Sequence, residues 1–181
     1  MIIDTNKLDK YELPNWYAED RLTETIDKKY SIYAYNIEEY RMGAYSCNIA
    51  IYKSDFSDTP LLNSGKIYLD FIRRQFYNYL PKGKLFIFIM LAYRENSQKP
   101  GRPYLIINPE TNKFAFIEWD YTSLYYKFDE YDDGSIVLQA NSNELNSGKI
   151  VKRTGERFNP STFRWFDFEQ FANAIELYHN S

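Results

Sequence analysis

Apolar residues alternate with polar ones from Ala44 to Lys53, which places Tyr45, Cys47, Ile49 and Ile51 on one side of the chain. Alternation with a period of two marks a half-buried β-strand. Residues 30–35 (YSIYAY) read as a strand before it, and the charged residues 36–43 as the link between the two. Residues 85–91 (LFIFIML) are apolar throughout. A run buried on both faces predicts a central strand. Residues 103–108 and 113–119 predict a hairpin closed by Pro109-Glu110-Thr111-Asn112. Residues 124–131 and 135–140 predict a second, closed at Asp132-Asp133-Gly134, because Asp-Gly between strand-like runs favours a tight turn. Pairing between sequence neighbours gives a meander.

Other segments carry different patterns. Leu69, Ile72, Phe76 and Leu80 fit a helical stripe, while Ile67, Leu69 and Phe71 fit a strand; Pro81-Lys82-Gly83 stops either. Residues 54–64 and 94–102 have loop composition, and the polar residues 141–147 read as a loop closing the β region. Near the start, Leu13-Pro14-Asn15-Trp16-Tyr17 reads as a turn with aromatic anchors. At the C-terminal end Asp167 opens a helix, with Gln170 as its capping-box partner. Phe168, Phe171, Ala172, Ile175 and Tyr178 share one face, expected to cover a sheet face or an open edge. Turn-then-strand units at 81–87, 109–116 and 132–138 have a spacing like that of hairpins in a propeller blade of about 40 residues, too few to close a propeller. The predicted fold is mainly β: an antiparallel meander, blade-like or folded into two packed sheets, with a C-terminal α-helix. The alternative is α+β, with an additional helix at about 67–80.

At 181 residues the chain is expected to form a single domain, residues 1–181, with room for a sizeable core. Aromatics make up 19% of it, with 18 Tyr and 13 Phe, which reinforces the β assignment. The abundance of Tyr, Asn, Ile and Lys also matches A/T-rich codons, so the excess has a genomic explanation beside a functional one. A net charge of −3 argues against general binding to phosphate backbones. One cysteine, Cys47, allows no intramolecular disulfide. No basic segment followed by an apolar one opens the sequence, and no apolar run approaches the ~20 residues that span a bilayer. A cytoplasmic location is the expectation.

Catalytic chemistry finds little to stand on. The single histidine, His179, lies two residues from the end of the sequence, a poor place for a precisely held base. Cys47 on an apolar strand face reads as a core residue rather than a nucleophile. One Cys and one His exclude a zinc site of the usual composition. Asp129-Glu130-Tyr131-Asp132-Asp133-Gly134 has the density of a calcium loop, but Tyr131 occupies its third ligand position. The seven glycines are scattered singly, so no phosphate-cradling loop forms. Glu118 and Asp120, flanking Trp119 on one strand face, are the one carboxylate pair that suggests a hydrolase. Lys149, Lys152, Arg153 and Arg157, near Phe158, form a modest basic patch, read as a solvated loop. No cofactor or metal is implied.

The densest feature is acidic and aromatic. Glu118, Asp120, Asp129, Glu130, Asp132 and Asp133 lie within sixteen residues, opposed there only by Lys127, with Trp119, Tyr121, Tyr125, Tyr126 and Tyr131 interleaved. Rigid aromatic rings anchor protein interfaces, and acidic charge speeds encounter with a basic partner. Glu118, Trp119, Asp120, Tyr121, Asp129, Glu130, Asp132 and Asp133 are therefore the candidate partner-binding residues. In composition and general character, though in no motif, the chain resembles the immunity proteins that accompany bacterial toxins. That resemblance implies a non-catalytic inhibitor covering the active site of a basic toxin domain, with no nucleic-acid or membrane partner. A sugar- or small-ligand-binding module using Trp119 is the competing expectation, and a carboxylate hydrolase the third.

Overall fold

The computed structural model describes residues 20–41, 44–54, 59–70, 77–90, 104–117, 126–143 and 150–180. They form strands β1 (Arg21–Glu24), β2 (Tyr30–Arg41), β3 (Ala44–Lys53), β4 (Leu62–Asp70), β5 (Asn78–Leu80) and β6 (Leu85–Ile89). Strands β7 (Tyr104–Asn108), β8 (Lys113–Ile117), β9 (Tyr126–Glu130), β10 (Ile136–Asn143), β11 (Ile150–Phe158) and β12 (Phe166–Asp167) follow, then helix α1 (Phe171–Asn180). The fold is mainly β and antiparallel, ending in one short helix. Three sheets are present, in the orders β1-β2-β3-β4, β12-β8-β7-β6-β5 and β11-β10-β9. Apart from β12, every pairing joins sequence neighbours, so the meander stands, divided among three sheets rather than two.

The apolar run of β6 explains the layering. All five of its residues are buried. Phe86 and Phe88 face one way and join Leu105, Ile107 and Phe114 in a core with Tyr30, Ile32, Cys47, Ile49, Ile51, Ile67 and Leu69. Leu85, Ile87 and Ile89 face the other way, with Tyr104, Ile106 and Ile136; Phe128, Phe163 and Trp165 pack against them. The five-stranded sheet is thus the middle layer, between the β1–β4 sheet and the β9–β11 sheet. An isolated bridge between Leu69 and Met90 ties β4 to the residue following β6.

The C-terminal helix covers the first of these cores. The Asp167 N–H donates to Gln170 Oε1 at 3.3 Å, one arm of the expected capping box. The first turn, Phe168–Gln170, is 3₁₀, and the Phe168 N–H donates to the Asn112 carbonyl at 3.0 Å. Phe171 meets Phe114 edge-on, with ring centroids 4.8 Å apart. The buried stripe runs through Phe171, Ala174 and Ile175, while Ala172, expected on that face, is exposed. Spacings of three and four residues put Ala174 and Ile175 beside Phe171 and turn Ala172 away.

Several segment boundaries differ from the sequence expectation. Residues 36–41, read as a link, continue β2 through register shifts between Tyr35 and Glu38 and between Glu39 and Arg41. Asn36, at φ 52°, takes the left-handed backbone, which Asn tolerates, and the extra residue breaks the alternation that marks a strand. Residues 67–70 and 78–80 are strand, which removes the alternative of a helix across 67–80. Leu62 already belongs to β4, within the segment read as loop. Asn141 to Asn143 pair with residues 150–152, so the β region continues into β11, and Arg157 lies on a strand rather than in a solvated loop. The turn expected at residues 13–17 and the loop at 94–102 lie outside the described residues. Among the described residues no helix is long and apolar enough to cross a membrane.

Candidate functional site

Of the candidate partner-binding residues, Glu118, Trp119, Asp120 and Tyr121 lie outside the described residues. Asp129, Glu130, Asp132 and Asp133 come together at the closed end of the β9–β10 hairpin. The turn is built from its own polar atoms. Asp133 Oδ1 accepts from the Ser135 N–H at 3.0 Å and from its hydroxyl at 2.6 Å. Tyr131 and Ser135 close the hairpin through the Tyr131 N–H and Ser135 carbonyl at 2.9 Å, and the Gly134 N–H donates to the Tyr131 carbonyl at 3.0 Å. Gly134 sits at φ 76°, a conformation that glycine adopts without strain.

Three residues remote in sequence complete this end. Glu130 accepts from the backbone N–H groups of Lys82, at 2.8 Å, and Gly83. A Cβ on Gly83 would lie 2.9 Å from Glu130 Oε1, so a larger residue there would shift the Glu130 side chain. Lys82 Nζ pairs with Asp132, and Arg157 Nη2 pairs with Asp133. Arg157 Nε also donates to the Ser135 hydroxyl at 2.6 Å, and its guanidinium lies 5.0 Å from the centroid of the Tyr131 ring. Hydrogen bonding from Lys82 holds the Asp132 carboxyl below its ordinary range, and hydrogen bonds from Ser135 do the same for Asp133. Both carboxylates are therefore ionised at neutral pH and committed to local partners. The sequence showed neither Lys82 nor Arg157 beside these acids, because 50 and 24 residues separate the paired positions. Tyr131, 42% exposed, is with Ile26 and Leu177 one of three large hydrophobic side chains open to solvent among the described residues, and the Asp132 side chain beside it is 99% exposed.

A second polar cluster joins the first sheet to the middle one. Tyr30 donates its hydroxyl to Glu110, which also pairs with Lys84 Nζ at 3.1 Å. Tyr79 donates to Asp27 Oδ2 at 2.8 Å, and the Thr25 hydroxyl to Asp27 Oδ1 at 2.7 Å. Burial, then the hydrogen bonds to these carboxylates, pushes both tyrosine hydroxyls well above their ordinary range. Hydrogen bonds from Tyr30 and Lys84 lower Glu110. For Asp27 burial acts upward, but the bonds from Thr25, Tyr79 and the Lys29 N–H together outweigh it. Such pairs hold elements together; none leaves a proton-accepting group free. Cys47 is fully buried, and burial pushes its thiol up to about 12, so the thiolate that reacts is suppressed. His179 falls in the last turn of α1. Among the described residues no group of three or more His, Cys, Asp or Glu side chains is placed to hold a metal ion. Comparison of the chain with protein-family models, with curated proteins and with solved structures gives no match.

Proposed function

We propose that the protein is a non-catalytic binding protein that inhibits a basic protein domain, of the kind bacterial immunity proteins exert on toxins, and that it works in the cytoplasm. The closed end of the β9–β10 hairpin is the surface assigned to the partner. One observation carries this reading: the exposed Tyr131 ring is held beneath the Arg157 guanidinium and flanked by two ionised aspartates. A ring fixed before binding loses little freedom when it is covered, and aromatic anchors of this kind concentrate interface energy. Lys82 and Arg157 formally balance Asp132 and Asp133, so the acidic excess that attracts a basic surface comes from Asp129 and Glu130.

The test is a pull-down from the native host with the wild-type chain and with Tyr131→Ala. A partner with a basic surface, retained by the first and lost by the second at unchanged thermal stability, supports the proposal. A partner held equally by both places the surface elsewhere. The competing small-ligand module rests on Trp119, outside the described residues, and no further observation favours it there.

A further inference from the structure

We propose that a cavity at the β1–β2 turn binds a phosphate-bearing small molecule. It has a volume of about 530 Å³ and is lined by Lys28, Lys29, Tyr30, Lys53, Ser54 and Glu110. That volume falls within the range of about 300–1,000 Å³ usual for small-ligand sites. The fold brings these residues together for local reasons. Tyr30 pairs with Lys53 across β2 and β3, and the Ser54 N–H donates to the Lys29 carbonyl at 2.9 Å. The turn carries Lys28 at φ 56°, between the Lys28 N–H bonded to Thr25 and the Lys29 N–H bonded to Asp27.

The charge at this place runs against that of the chain. None of the Lys28, Lys29 and Lys53 ammoniums has an ion-pair partner within 4.0 Å among the described residues. Among the described residues two carboxylates stand nearby, and both are occupied. Glu110 is taken by Lys84 and the Tyr30 hydroxyl, and Asp27 by the Thr25 and Tyr79 hydroxyls. Among the described residues, Lys28, Lys29 and Lys53 on the lining and Lys84 beside it outnumber Glu110 and Asp27, in a chain whose net charge is −3.

A second observation points to a ligand independently of charge. Among the described residues the Ser54 hydroxyl oxygen is buried and has no hydrogen-bond partner. Buried polar side chains are ordinarily satisfied. Ser54 lines the cavity, and its unsatisfied hydroxyl is a donor suited to an acceptor bound there. A phosphate oxygen is such an acceptor, and lysine ammoniums are its usual electrostatic partners. This site shares no residue with the hairpin surface, so either proposal can fail without the other.

The experiment is titration of inorganic pyrophosphate into the full chain, followed by calorimetry and by backbone-amide NMR. Saturable binding that shifts the Lys29 and Ser54 amides is expected. The Lys29→Gln/Lys53→Gln double variant should bind at least about tenfold more weakly, while its melting temperature without pyrophosphate stays that of the wild type. Both lysines are exposed, so folding is preserved. Lys66→Gln, at an exposed lysine of β4, should bind like the wild type. Absence of saturation up to about 10 mM pyrophosphate, wild-type affinity in the double variant, or equal weakening by Lys66→Gln would each overturn the proposal.

Discussion

The Tyr30 hydroxyl donates to the Glu110 carboxylate, so the first residue of β2 is clasped to the turn that joins β7 and β8. The contact spans 80 residues of sequence and two sheets. The Tyr30 ring lies buried against Phe86 and Tyr79, at centroid distances of 6.0 and 6.4 Å, so its hydroxyl has little freedom to seek another partner. Tyr30→Phe keeps the ring and removes the bond. It should lower stability by about 1 kcal/mol, since the Glu110 carboxylate is partly exposed and recovers water. Denaturant unfolding of the two proteins reads this directly; equal midpoints would make the clasp ornamental.

Acid should loosen the same junction. Asp27 and Glu110 have folded-state values below their unfolded ones. Their contribution is fully present above the unfolded carboxylate range, about pH 4–4.5, and is lost as pH falls through the lower folded values. Melting temperature followed from about pH 6 to about pH 3 should decline more shallowly in Glu110→Gln than in the wild type. Alkali acts through the tyrosines. Tyr30 and Tyr79 are raised, so their contribution is present below about pH 10 and falls away above it.

Cys47 should be inert while the protein is folded. It is fully buried on β3, and burial pushes its thiol up to about 12. A thiol reagent at neutral pH should label the native protein far more slowly than the unfolded chain. Labelling at equal rates would show that β3 opens readily.

Helix α1 should be integral to the fold. Phe171→Ala removes a buried ring stacked edge-on against Phe114 and should cost about 3–5 kcal/mol, a large share of the ~5–15 kcal/mol that holds a domain together. Calorimetric melting of the variant tests this; an unchanged midpoint would mean that the helix packs only peripherally.

How far these features were legible in the sequence depends on where their causes lie. Local causes showed. Alternation revealed β3, the doubly apolar run revealed β6, Asp133-Gly134 revealed the second hairpin, and Asp167 with Gln170 revealed the start of the helix. Where a local irregularity interrupts the pattern, the reading failed. Asn36 in a bulge hid the second half of β2, and polar Asn141 to Asn143 hid the end of β10, which is held by its pairing with β11. At the candidate site the acids were visible but their partners were not. Lys82 and Gly83 reach Glu130 and Asp132 only because β5 and β9 are brought together by packing of the middle sheet on the third. The lysine-lined cavity was invisible for the same reason: Lys28 and Lys53 meet through the β2–β3 register, and Glu110 arrives from another sheet.

If the β9–β10 hairpin end is the surface that meets the partner, association kinetics with the captured partner will depend on its charge. Asp132→Lys should be compared with the wild type across a range of salt. Asp132 is exposed and its pairing with Lys82 is a surface one, so the fold should survive. Association should be slower for the variant, the wild-type rate should fall as salt rises, and the two should converge at high salt. Equal association rates at low salt, with both proteins folded, would contradict that assignment.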